Sequence, residues 1–350
     1  MIIQHCIANP LTTIRTPRRL SHPGTVLTRT GDSVEPSQIV AQAVMLPDFR
    51  IVDVAQELDV PLRSANSYFK VERGQAISEG DILASKGRFG SRVCQAPFTG
   101  KVAGVGRGRL LLQGEPQIVR LNALVPGYIV EAEPGEGVVI ETVGGFIQAL
   151  WGNGYEAHGV LRMLVREAAH PIRATLINAS SQGSILIGGS TLDEGTIEHA
   201  KEMRVRGMIV GSVPAGLIPQ LREAGFPVIA TEGIGTTPMT QAIFDLLRSL
   251  DGREASISGD IGNRWHPMRP YIVIPMPTQV GRAIQTDAPL AIGERVRLLR
   301  GTYRGRSGTI QKKLAKRVQL ETGARLPGAA VDIGEGELVR VPYVNLERLF

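Results

Sequence analysis

Glycine and proline recur so often along this chain that long helices are excluded through most of it. The 41 glycines and 22 prolines interrupt short apolar runs. A helix interior tolerates neither residue well, whereas turns between strands need both. The chain is therefore expected to fold mainly as compact strands and turns. At 350 residues it exceeds one average domain, so two to three cores are expected. No apolar run approaches the roughly 20 residues that span a bilayer, so no membrane partner is expected. The 43% hydrophobic content excludes disorder throughout.

Charge is concentrated rather than spread. Residues 291–350 hold twelve Lys/Arg against six Asp/Glu, and this balance of +6 equals the formal charge of the whole chain. From Arg295 to Arg317, nine basic residues follow one another with no acidic residue between them: Arg295, Arg297, Arg300, Arg304, Arg306, Lys312, Lys313, Lys316 and Arg317. The two cysteines, Cys6 and Cys94, are too few for a disulfide framework. The first thirty residues also lack a secretion signal, so the cytoplasm is the expected compartment.

Five stretches follow from these patterns. Residues 1–37 carry four arginines and prolines at Pro10, Pro17, Pro23 and Pro36, and read as an irregular basic arm. Residues 38–140 read as a β-rich domain. Within it, Gly74-x-x-Ile77-x-x-Gly80-Asp81-x-Leu83-Ala84 and then Ala96-Pro97-x-x-Gly100-Lys-Val102 resemble the barrel-sandwich hybrid fold of lipoyl and biotinyl carrier domains. In that family a modified lysine stands seven residues before the Ala-Pro pair. Here that position is Phe89, and Lys86 is the nearest lysine. The resemblance thus implies the fold without a covalent cofactor, and no other cofactor is expected.

Residues 141–258 change rhythm. The apolar runs Ser184–Gly188, Gly207–Gly211 and Pro227–Thr231 alternate with helical patterns over Thr196–Arg204, Ile218–Ala224 and Met239–Leu250. This is the pattern of a small α/β domain on a buried parallel sheet. The strand ends are small and polar: Gly188, Gly189, Ser190 and Thr191; Gly211 and Ser212; and Thr231, Glu232, Gly233 and Gly235. Backbone donors converge at such ends, which makes them candidate contacts for a small molecule. Glycines there also serve tight turns alone, and Asp193 and Glu194 would repel a phosphate from the helix that follows Gly189.

Residues 259–290 read as a linker and strand, and residues 291–350 as a small barrel whose core closes independently. In the last segment Val296 and Leu298 alternate with Arg295 and Arg297, as in a strand with one buried face. The run Gly293-x-x-Val296-x-Leu298, the spacing Gly301/Gly305/Gly308, Ile310 and the ending Asn345-Leu346-Glu347 resemble the KOW motif of NusG-type transcription factors and large-subunit ribosomal proteins. That resemblance implies an SH3-like β-barrel that binds RNA, or protein within the transcription and translation machinery. Basic groups on its surface would favour a polyanion through counterion release. The candidate nucleic-acid contacts are Arg295, Arg297, Arg304, Arg306, Lys312, Lys313, Lys316 and Arg317.

No motif identifies a reaction. There is no Gly-x-Ser-x-Gly elbow and no Gly-Lys-Ser/Thr loop, and the six histidines never stand at metal-ligand spacing with another His or Cys. The fold class expected is multidomain α+β. The function expected is a non-enzymatic adaptor for RNA or a ribonucleoprotein complex. The alternative is a small-molecule sensor or enzyme with its crevice at the α/β strand ends.

Overall fold

The computed structural model describes residues 7–45, 47–87, 92–262, 268–276, 289–320, 322–334 and 336–349. These residues are strand-rich, with one large mixed sheet and few helices. Phe89, the position matching the modified lysine, lies outside the described residues, as do residues 263–267 and 277–288 of the expected linker.

The large sheet is organised around the twelve-residue strand Gly137–Gln148. One of its edges pairs antiparallel with Ile7–Arg19, from Arg19↔Gly137 to Ala8↔Ile147. Its other edge pairs first with Gly127–Glu133 and then with Tyr271–Pro275. Within residues 1–37, expected as an irregular arm, Ile7–Arg19 forms a thirteen-residue strand in the heart of the fold. The prolines that argued against order are accommodated locally. Pro10 falls where the register shifts between Asn9 and Thr12. Pro17 lies beyond Ala8, where the strand's other edge is unpaired among the described residues and needs no N–H donor. Thr12, Ile14, Thr16 and Arg18 alternate inward. Three of these four are polar, which hid the period-2 signal.

Between residues 39 and 114, strands Phe49–Asp53, Arg109–Gly114, Gly100–Gly106 and Ala76–Ile77 form a four-stranded sheet. The hairpin Ile82–Lys86/Arg92–Gln95 packs beside it. Leu58, Leu83, Val102, Leu110 and Leu112 close a core there.

The central strands Glu156–Met163, Ser184–Ile187, Gly207–Val213 and Val228–Ile234 run parallel in that order. Their side chains alternate strictly. Ile185, Ile187, Ile209 and Ile229 face the helix Gln241–Ser249, which contributes Ile243, Phe244 and Leu247 to the same core. Leu186, Met208, Val210, Val228 and Ala230 face Ile197 and Ala200 of helix Glu194–Glu202, together with Leu221. Both faces are covered, which explains why these runs read as continuously apolar.

The C-terminal strands Arg295–Leu298, Ser307–Lys313, Gly328–Asp332, Leu338–Pro342 and Leu346–Leu349 pair antiparallel around Val296, Leu298, Ile310, Val331 and Leu346. This unit has its own core but is not independent. Leu346–Leu349 also pairs parallel with Ile7 and Ala8. Leu349 belongs to the same core as Ile147 and Ile185.

Candidate polyanion interface and its docked end

The strand Arg295–Leu298 is buried on both faces after Arg295. Val296 and Leu298 point into the C-terminal core, while Arg297 is fully buried on the opposite side. Sequence alternation placed Arg297 in solvent because it could not see the second surface that covers it. That surface is the end of the central strand Val228–Ile234. Arg297 Nη1 donates to Glu232 Oε1 at 2.6 Å and to the Thr231 carbonyl at 3.3 Å. Its Nε donates to Glu347 Oε2 at 2.5 Å, and Nη2 contacts the same carboxylate. Arg269 adds a second cation 3.5 Å from Glu347.

Each charge in this cluster meets an opposite one, as burial requires. Burial pushes the Glu347 carboxyl up, and two guanidiniums stand against that carboxylate. Burial likewise works against the charge of Arg297, and Glu232 counters it. Glu232 is satisfied further by the Thr240 backbone N–H at 3.1 Å and hydroxyl at 2.9 Å.

The glycine-rich turn docks beside this cluster. Arg304 Nη2 donates to the carbonyls of Glu232 and Ile234. Gly305 takes φ +82°, and a Cβ there would stand 2.8 Å from Thr237 Cγ2. Only glycine gives both the left-handed backbone and this close approach.

The strand ends expected to line a ligand crevice are packed against other segments of the chain. Ile172 occupies the space beside Gly188, and the carbonyls of Glu167 and Ala168 close on Gly189. The amides of Gly189 and Ser190 both donate to the His170 carbonyl. Thr191 gives its carbonyl to the Ile172 amide. Gly211 lies against the Met239 amide, and the Ser212 hydroxyl donates to the Thr237 carbonyl at 2.7 Å. Thr231 and Glu232 are buried, and Gly233 and Gly235 lie under the Arg304 guanidinium. The helix after Gly189 is closed by its own acid: Thr196 holds Asp193 below the usual carboxylate range, its hydroxyl at 2.6 Å and its amide at 2.8 Å.

The remaining basic residues separate from this docked end. Arg295, Arg306, Lys312, Lys313, Lys316 and Arg317 are exposed, as is Arg300. Arg306 stands 3.7 Å from Glu337. Lys312, Lys313, Lys316 and Arg317 have no carboxylate within 4 Å among the described residues. Lys312 and Lys313 stand opposite Ala330 and Ala329, small neighbours that leave them open to solvent. Of the eight candidate nucleic-acid contacts, Arg297 is therefore unavailable and Arg304 is committed to the docked face.

A second ion pair, between buried Arg18 and partly exposed Glu156, ties the N-terminal strand to the central sheet. Arg18 grips Glu156 with both Nη atoms at 2.7 and 2.8 Å, and its Nε donates to the Asn122 carbonyl at 3.0 Å. Burial raises the Glu156 carboxyl, but Arg18 and the Ser258 hydroxyl outweigh it and hold the group low. No local motif in the sequence could reveal this pair, which joins residues 138 positions apart.

No helix is long and apolar enough to cross a membrane, and no cluster of His, Cys, Asp and Glu could hold a metal, among the described residues. No protein-family model matches the chain, and no curated protein matches it.

Proposed function

We propose that this protein is a cytoplasmic adaptor that binds RNA or a ribonucleoprotein complex through its C-terminal unit, acting as an SH3-like, KOW-type barrel. In the same reading, residues 38–140 form a barrel-sandwich-hybrid-like domain and residues 141–258 an α/β domain, and the two act as the platform. The observation that carries the proposal is the uncompensated exposure of Lys312, Lys313, Lys316 and Arg317. Exposed cations without carboxylate partners are free to exchange counterions for phosphates. Arg295, Arg300 and Arg306 extend the same charge, whereas Arg297 and Arg304 hold the unit in place. Contact with phosphates alone predicts binding without base-specific readout.

The test is fluorescence anisotropy of the full chain with single-stranded RNA across a salt series. Changing Lys312, Lys313, Lys316 and Arg317 together to Ala is expected to reduce the log–log salt slope by up to about 0.7 per lost contact. Absence of binding by the unaltered chain at low salt, or an unchanged slope in the quadruple variant, would sink the proposal.

A further inference from the structure

A cleft of about 680 Å³ lies beside the docked turn, and of its lining the RNA reading draws only on Arg306. It is bounded by residues 166–169, by Thr237–Gln241, by Arg248 and by Arg304–Arg306. Four guanidiniums line it, Arg166, Arg248, Arg304 and Arg306, against one lining carboxylate, Glu167. Arg166 and Arg248 come from stretches far from Arg304 and Arg306, so tertiary structure brings the three stretches together.

Their existing partners neutralise little of this charge. Arg304 donates to two uncharged carbonyls. Arg248 stacks 4.6 Å from the Phe244 ring centroid, donates to the Arg166 carbonyl and stands 3.6 Å from Asp245. Arg306 stands 3.7 Å from Glu337. Long, exposed ion pairs of this kind are weak and yield to a better-placed anion. Arg166 has no carboxylate within 4 Å among the described residues. Glu167 is exposed and stands 3.6 Å from His170. The helix Gln241–Ser249 begins at the cleft with no acidic residue in its first turn, unlike the helix after Gly189 with Asp193 and Glu194. Ala169 and Pro238 add apolar wall.

We infer that this cleft binds a small phosphate-bearing organic molecule of nucleotide size. Its phosphate is held by Arg166, Arg248 and Arg306, and its apolar part lies against Ala169 and Pro238. The planar fork of arginine matches phosphate oxygens two at a time. The volume falls within the roughly 300–1,000 Å³ typical of small-molecule sites. The inference shares only Arg306 with the RNA reading, and Lys312 and Lys313 line no part of the cleft.

Calorimetric titration of the full chain with ATP and with inorganic phosphate tests it. ATP is expected to bind, with affinity reduced about tenfold or more in Arg166→Gln and in Gln241→Glu. Gln241→Glu is the informative variant, because a carboxylate in the first helical turn repels an anion, while its gain at the helix N-terminus offsets the lost Gln241–Asp245 hydrogen bond and the new like-charge pair. Lys312→Ala/Lys313→Ala should leave ATP binding unchanged. The absence of ATP binding at millimolar concentration overturns the inference. So does a result in which the cleft variants weaken RNA binding instead of ATP binding, since the phosphate would then belong to the RNA backbone.

Discussion

The two ends of the C-terminal unit use the same residue types for opposite purposes. At the docked end Arg297 is wholly enclosed between Glu232 and Glu347, and Arg304 is bound to backbone carbonyls. At the free end Lys312, Lys313, Lys316 and Arg317 are exposed and unpaired among the described residues. Fewer than ten positions separate Arg304 from Lys312 in the chain. The difference shows that a basic run is not a binding surface by itself. A guanidinium placed where carboxylates are also buried becomes an internal fastener, and its removal takes the ion-pair partner from Glu232 and leaves Glu347 only Arg269 at 3.5 Å. An ammonium left in water keeps its charge available to a partner and contributes little to folding.

The largest effect is expected for Arg297→Ala. It leaves Glu232 and Glu347 buried without their shared cation, and is expected to cost about 3–5 kcal/mol in chemical denaturation. A loss under about 1 kcal/mol would mean that water reaches the carboxylates and that the docked end is not closed.

Glu156→Gln at the half-buried Arg18 pair is expected to cost about 1.5–3 kcal/mol, the worth of hydrogen bonds to a charged group. Its pH dependence has a defined sign. The Glu156 carboxyl is held below its ordinary value of 4.5, so its contribution is present above that pH and is lost as the pH falls through the lower folded value. Denaturation of both proteins across pH should show a constant difference above 4.5 that narrows below it.

Two glycines on one turn separate docking from backbone strain. Gly301 and Gly305 both have positive φ, but a Cβ at Gly301 meets nothing within 4 Å whereas one at Gly305 meets Thr237. Gly301→Ala should cost about 1 kcal/mol from backbone strain alone. Gly305→Ala should cost more and should expose the Arg297 cluster to faster amide exchange. Equal losses from the two substitutions would contradict the docking of this turn.

The smallest stability effect belongs to the free end. Replacing Lys312, Lys313, Lys316 and Arg317 with Ala should leave stability within about 0.5 kcal/mol per site. The same change should flatten the salt dependence of RNA binding. A clear loss of stability would place these side chains in the fold rather than at a partner.

Some of this was legible in the residues. The strand-rich character followed from glycine and proline punctuation. The parallel runs Ser184–Gly188, Gly207–Gly211 and Pro227–Thr231 were visible because strands covered on both faces are apolar at every position. Aspartate at 193, three residues before Thr196, announced a closed helix end. The strand Ile7–Arg19 was not legible, because its inward positions are mostly threonine and arginine and its prolines sit at a bulge and on an unpaired edge. The strand ends around Gly188, Gly211 and Gly233 looked like a ligand crevice because local sequence cannot show which other segment packs against them.

What the sequence determined by itself was local: backbone preferences, the spacing of apolar side chains, and the concentration of positive charge in the last sixty residues. Tertiary structure alone decided which of those charges are used inside the molecule. The pairing of Arg297 with Glu232 joins residues 65 positions apart, and that of Arg18 with Glu156 joins residues 138 apart. Nothing in the neighbouring residues encodes either pairing. The free energy of a charged side chain depends on the dielectric and the counter-charge around it, and both are created only when distant segments close over it.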